Sequence, residues 1–137
     1  MSTTGNRRSA TSAARVRAAA VHRAQSGASG EALAARLLER HGLTIVARNF
    51  RTRRGEIDLV ARDGATLVFV EVRLRRDRAF GGAAESITAA KRSRLVAAAQ
   101  YYLMGLRDPP PCRFDAVLLD GLDPARADWR RNVIDAG

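Results

Sequence analysis

The run Gly55-Glu56-Ile57-Asp58-Leu59-Val60-Ala61-Arg62-Asp63-Gly64-Ala65-Thr66-Leu67-Val68-Phe69-Val70-Glu71-Val72-Arg73 holds two strand-like segments folded at an Asp-Gly turn signal. It limits the fold more than any other stretch, because it sets carboxylates inside segments that otherwise demand burial. Acids in such a setting are costly unless something pairs with them. They are the first place to look for chemistry.

With Asp63 and Gly64 as the two central residues of a tight turn, Arg62 faces Ala65, Asp58 faces Phe69 and Glu56 faces Glu71. Period-two alternation then puts Glu56, Asp58, Glu71 and Arg73 on one side of the hairpin, together with Val60, Leu67 and Phe69. Ile57, Leu59, Val68, Val70 and Val72 take the other side, where they can bury against a helix. Asp58 and Glu71 become diagonal neighbours with Cβ atoms roughly 6–8 Å apart, close enough for both carboxylates to reach one divalent ion. A three-residue loop would shift the pairing by one and send the two acids to opposite faces. Ordinary polar positions on a solvated face are the competing explanation for these acids. Against it, Val60, Leu67 and Phe69 make their side only partly wet.

Hard cations such as Mg²⁺ or Mn²⁺ prefer carboxylate and carbonyl oxygens, with water completing the shell. Phosphodiester cleavage uses such an ion to acidify water and to neutralise charge on the phosphoryl oxygens. Arg73, two residues beyond Glu71 on the same face, is placed to add positive charge. Its guanidinium does not accept a proton near neutral pH, so its part is electrostatic. Glu31 offers a third carboxylate from the first helix, where Ala34, Ala35 and Leu38 follow at i+3, i+4 and i+7. It is equally explained as an acid favoured in a first helical turn.

Around this hairpin the chain predicts the order α-β-β-β-α-β-(β): an α/β fold with a central mixed sheet flanked by helices. A helix spans Ser29 to His41 and stops at Gly42, and a strand covers Leu43 to Phe50. The basic segment 51–55 turns into the hairpin, a charged loop runs from Arg75 to Gly82, and a second helix covers Thr88 to Met104. Strands are expected at Phe114 to Leu119 and Trp129 to Ile134. Residues 1–26 are small, polar and basic and predict a flexible tail, leaving 27–137 as one domain.

The charge of +10 favours a polyanionic partner, although a bias towards arginine can also arise from base composition: Lys91 is the single lysine. Arg53, Arg54, Arg75, Arg76 and Lys91 are the candidate nucleic-acid contacts, made mainly to phosphates. Cys112 stands alone and the histidines are His22 and His41, which excludes a disulfide framework, a structural zinc cluster and a Cys/His nucleophile pair within one chain. No apolar run approaches a membrane span, and a reducing, cytoplasmic setting is expected. Cys112 reads as an inert small apolar residue at a strand entry, Tyr101-Tyr102 as helix packing, and Asp115 beside Arg113 as a structural ion pair.

Gly30-Glu31, Asn49, Gly55-Glu56-Ile57-Asp58-Leu59-Val60, Phe69-Val70-Glu71-Val72-Arg73, Phe80-Gly81, Lys91 and Arg113-Phe114-Asp115, in that order, resemble the YraN-like family, UPF0102. The resemblance covers about residues 27–135. It implies a minimal restriction-endonuclease-like domain of the kind found in Holliday-junction resolvases, a Mg²⁺- or Mn²⁺-dependent nuclease for branched or flapped DNA. By this resemblance Glu31 is the helix carboxylate, Asp58 and Glu71 are the metal ligands on the two strands, and Arg73 stands where the nuclease pattern has lysine. That departure leaves open a catalytically silent nucleic-acid-binding or scaffold protein on the same fold. RNA in place of DNA, and a homodimer with two sites for two strands, also stay open.

Overall fold

The computed structural model describes residues 29–75 and 88–134. The expected tail over 1–26, and the charged loop from residue 76 onward with its Phe80-Gly81 motif, lie outside the described residues.

Helix α1 is described over residues 29–40. It ends as Gly42 predicts: Gly42 takes φ +92°, its N–H donates to the Glu39 carbonyl, and the Leu43 N–H reaches back to Leu38. These two bonds form a Schellman cap, which satisfies carbonyls the helix would leave unpaired. Five strands follow as β1 (Thr44–Arg51), β2 (Glu56–Asp63), β3 (Thr66–Arg75), β4 (Cys112–Asp120) and β5 (Ala127–Arg130), with α2 (Ala89–Met104) between β3 and β4. Thr88 caps α2 by accepting the Lys91 N–H on its hydroxyl. A single 3₁₀ turn over Pro124–Arg126 precedes β5, which therefore starts earlier and ends sooner than the Trp129–Ile134 strand expected from sequence.

The sheet runs β1-β2-β3-β4-β5 in space. β1, β2 and β3 pair antiparallel, β4 lies parallel to β3, and β5 returns antiparallel to β4. A parallel neighbour needs a long crossover, and the segment carrying α2 provides it. The α-β-β-β-α-β-β order and the mixed sheet are thus those the sequence predicts.

The two helices cover opposite faces. Leu33, Ala34, Ala35 and Leu38 of α1 pack on Leu59, Ala61, Val68, Val70, Val117 and Leu119, while Leu95, Ala98 and Ala99 of α2 pack on Val60, Leu67, Phe69 and Phe114. Tyr102 adds edge contacts to Phe50 and Phe69, as packing at the helix edge requires. Asp115 is fully buried and holds the last strand and the segment after it: the Arg113 guanidinium, the Trp129 indole N–H and the Asn132 backbone N–H all donate to its carboxylate. It is a structural acid, and every donor around it is accounted for. Cys112 is the first residue of β4, at the strand entry the sequence predicts, and it is exposed.

Two expectations about the hairpin need correction. The turn centre is Gly64-Ala65, not Asp63-Gly64, so Asp63 pairs with Thr66 and Leu59 with Val70. Gly64, at φ +61°, occupies the first central position, where a type II′ turn needs glycine. Moving the turn by one residue moves each partner by two, so the side-chain parity is kept. Carried one step past Leu59–Val70, this register sets Asp58 across from Glu71 rather than diagonal to it. The second correction is Ile57, which packs with Val60 and Phe69 on the α2 face instead of with Leu59. Along β1, Ala47 and Phe50 also face α2 although they are three residues apart. Both strands lose alternation at one level, where Asn49 takes the left-handed value φ +53° beside Asp58. A short polar side chain that tolerates this conformation breaks the pleat there.

Candidate active site

That break in the pleat is where the carboxylates gather. Described pairing between β2 and β3 stops at Leu59–Val70, and beyond it the Asp58 carboxylate takes the Val72 backbone N–H at 2.8 Å. A strand donor that would otherwise seek a backbone carbonyl thus fixes a side chain in place. Asp58 lies within hydrogen-bonding reach of Glu71 from β3 and of Glu31 from α1, and Asn49 reaches Glu31. The first helix therefore does deliver its acid to the strands, as its spacing allows.

The charges in this group oppose one another. Burial pushes the Glu71 carboxyl up to about 7, the neighbouring Asp58 charge adds to the rise, and Arg73 pulls against both. Burial also raises Asp58, against the pull of the Val72 N–H; it raises Glu31 too, with help from Asp58. Two carboxyls in contact in a poorly solvated place hold a proton between them until something else neutralises them.

Glu71 is also the hinge between the acids and a basic cleft. Glu56, Glu71, Arg73, Lys91, Arg94 and Leu95 line a small depression of about 100 Å³ between β2, β3 and the first turns of α2. Within it the Arg73 guanidinium stands 3.5 Å from the Glu71 carboxylate. Lys91, expected from sequence as a nucleic-acid contact, lines the same cleft as Glu71. Arg94 was not singled out by the sequence at all. Its signal was present, since it lies three residues after Lys91 and shares its side of the helix.

The fit of a divalent cation rests on donor chemistry: Asp58 and Glu71 are hard oxygen donors in contact, and their ionised forms repel. Among the described residues no three His, Cys, Asp or Glu side chains form a ready cage, so Glu31 stands next to Asp58 without completing a three-acid cluster. Two carboxylates with water suit Mg²⁺ or Mn²⁺, which keep part of their hydration shell. Arg53 and Arg54 are exposed on the β1–β2 turn and do not line the cleft that holds Glu71. Arg76 and the Arg75 side chain lie outside the described residues.

The family model described as "Uncharacterised protein family UPF0102" matches residues 30–119. The UPF0102 protein of Nitrosospira multiformis is 52% identical over 109 residues, covering 80% of this chain and 92% of the relative. That of Dechloromonas aromatica is 56% identical over 110 residues, covering 80% and 88%, and that of Methylobacillus flagellatus is 50% identical over 112 residues, covering 82% and 98%. The chain belongs to the UPF0102 family. The matched region takes in α1, all of β1–β3, α2 and nearly all of β4, and with them each residue of the acid group and the cleft. No helix among the described residues is long and apolar enough to cross a membrane.

Proposed function

We propose that this member of the UPF0102 family is a divalent-metal-dependent nuclease that hydrolyses phosphodiesters, with branched or flapped DNA as its substrate class. One observation carries the reading: the strand carboxylates Asp58 and Glu71 lie within hydrogen-bonding reach of each other, and Glu71 lines a cleft with Arg73, Lys91 and Arg94. Asp58 and Glu71 are the residues that would hold Mg²⁺ or Mn²⁺. When bound, the ion supplies Lewis-acid neutralisation of the charge that develops on the phosphoryl oxygens.

The remaining roles belong to the chain. The Val72 N–H and Glu31 hold Asp58 in one orientation, and Asn49 steadies Glu31. Lys91 and Arg94 draw the phosphate into the cleft as a point charge and a planar fork respectively. Arg73 stabilises the phosphorane-like charge at closest range without moving a proton. Such positions act through charge and placement, which is the larger share of phosphoryl-transfer catalysis.

A second reading is a nucleic-acid-binding protein that keeps this fold and turns over poorly. Arg73 in the position of a lysine favours it, since a bulky fork orients water less well than an ammonium does. Lys91 weighs the other way, because it brings a compact ammonium to the same cleft from α2. Cleavage of linear, flapped and four-way-junction DNA with Mg²⁺ and Mn²⁺ decides between them. The nuclease reading expects activity that Glu71→Ala abolishes and Arg73→Lys retains or raises. Binding without cleavage, in wild type and in Arg73→Lys alike, leaves the binding protein.

A further inference from the structure

A wider concavity than the acid cleft borders the same turn. It lies on the other flank of the β1–β2 turn, where Arg51, Thr52, Arg53, Arg54, Ala97 and Tyr101 surround about 590 Å³. That volume falls in the range of small-molecule sites. Its lining is mostly apolar, contributed by Tyr101, Ala97 and the stems of three arginines whose charged ends belong to the same turn.

Tyr101 does not behave as its neighbour does. Tyr102 turns inward onto Phe50 and Phe69, whereas Tyr101 is 62% exposed and among the described residues meets one ring, a tilted contact with Phe50 at 6.3 Å. Helix packing explains the first tyrosine and not the second.

The backbone that carries the arginines is held rather than loose. The Thr52 hydroxyl accepts the Arg54 and Gly55 N–H groups at 3.1 and 3.0 Å, and the Thr52 N–H donates to the Gly55 carbonyl at 2.8 Å. Gly55 in turn lies so close to α2 that a Cβ there would run into the Arg94 carbonyl. The turn is therefore clamped to the helix that carries Tyr101. Its positive charge is only partly cancelled: Arg51 faces Glu56 at 3.8 Å across solvent and also acts on Glu31, while no ion pair joins Arg53 or Arg54 to an acid among the described residues. An exposed pair of this kind holds little energy, so all three guanidiniums can turn to an anion.

We propose that this pocket is a binding subsite for an unpaired nucleotide of a single-stranded segment, with the base stacked on Tyr101 and the flanking phosphates on Arg51, Arg53 and Arg54. A ring to stack on beside cations that track the backbone is the combination that holds single strands without regard to sequence. Charge complementarity selects this occupant over a second copy of the chain, which carries the same positive charge of +10. The choice of nucleic acid as ligand rests on the function proposed above, and the subsite adds a preference for substrate structure. Lys91 of the acid cleft and Tyr101 are ten residues apart on α2, about 15 Å along the helix. That is about four base steps of a stacked strand. A duplex with a single-stranded flap, rather than an uninterrupted duplex, would fill both places.

The test uses the full chain with a chelator present, so that binding is read apart from cleavage. Labelled blunt duplex, the same duplex with a flap, and a single-stranded oligonucleotide are titrated by fluorescence anisotropy against wild type, Tyr101→Ala, Tyr101→Phe and an Arg53→Ala/Arg54→Ala double variant. Tyr101→Ala is expected to weaken flap and single-strand binding by about five- to a hundred-fold, with Tyr101→Phe close to wild type and blunt duplex unchanged. The double variant should lower the salt dependence of single-strand binding by about one to one and a half in log–log slope. Tyr101→Ala binding all three ligands as wild type does, or losing all three equally, overturns the subsite. A shift in oligomeric state on Tyr101→Ala, seen by sedimentation, overturns it in favour of a self-association surface. If wild type binds and cleaves flapped DNA while Tyr101 is silent, only this inference fails; if wild type binds no nucleic acid, the proposed function falls with it.

Discussion

Replacing Glu71 by glutamine should stabilise the protein at alkaline pH and leave it nearly unchanged in mild acid. The Glu71 carboxyl rises from its ordinary 4.5 to about 7 because burial and Asp58 disfavour its charge. A carboxyl whose proton is held more tightly in the folded state stabilises the fold fully below about pH 4.5. That contribution is lost as pH rises through about 7. At about 1.4 kcal/mol for each pH unit between the two values, the loss is on the order of 3 kcal/mol. Glutamine has nearly the same shape and never ionises, so it avoids the loss; the Arg73 contact it gives up is already counted against the rise. The variant should come within about 1 kcal/mol of wild type near pH 5 and exceed it by up to about 3 kcal/mol at pH 8.5, a gain of roughly 10 °C in Tm for a chain of this size. Urea unfolding at pH 5, 6, 7 and 8.5 with a chelator present measures the difference directly, and carboxyls remote from Glu71 cancel between the two proteins. A gain already complete at pH 5 would show that packing, not charge, is responsible. No gain at pH 8.5 would refute the idea that these acids strain the metal-free site.

Metal binding provides a separate check: calorimetry with Mn²⁺ should give heat and a rise in Tm for wild type, and neither for Asp58→Ala/Glu71→Ala, with Glu31→Ala intermediate. Equal affinity in the double variant would remove the two strand acids from the site. Gly55→Ala should destabilise by about 1–3 kcal/mol, because its Cβ meets backbone at Arg94 and the turn must lift from α2. A Gly55→Ala protein with wild-type stability and activity would mean that the turn and helix are not coupled as described.

Sequence reasoning succeeded here where a local rule had one strong solution. Alternation over Leu67–Val72 can face only one way once α1 and α2 exist to cover both sides, and Gly42 ends α1 because a positive φ was needed there. The turn failed because Asp-Gly and Gly-Ala are both adequate two-residue turns, and Gly64 serves either by changing position within it. That error did no harm to the site, since a shift of two preserves the face. Ile57 failed for a different reason. Asn49 reads as an ordinary turn-former at a strand end, and nothing in its letter says that it would take φ +53° inside β1 and break the pleat of two strands at once.

The same contrast separates the parts of the site. Asp58, Glu71 and Arg73 are legible because their spacing along β2 and β3 fixes their relation before any tertiary contact is known. That Lys91 and Arg94 share a cleft with Glu71 is not, because it depends on how α2 crosses the sheet, and Gly55, whose missing Cβ lets the β1–β2 turn close on the Arg94 carbonyl, bears on that crossing. This contact has two consequences at once. It brings the basic side of α2 over Glu71, and it holds Arg51, Arg53 and Arg54 beside Tyr101 on the opposite flank. Arginine at position 73 is then best judged with the helix in view: the strand offers a fork, α2 offers an ammonium, and both line one cleft beside the point where Gly55 meets the Arg94 backbone.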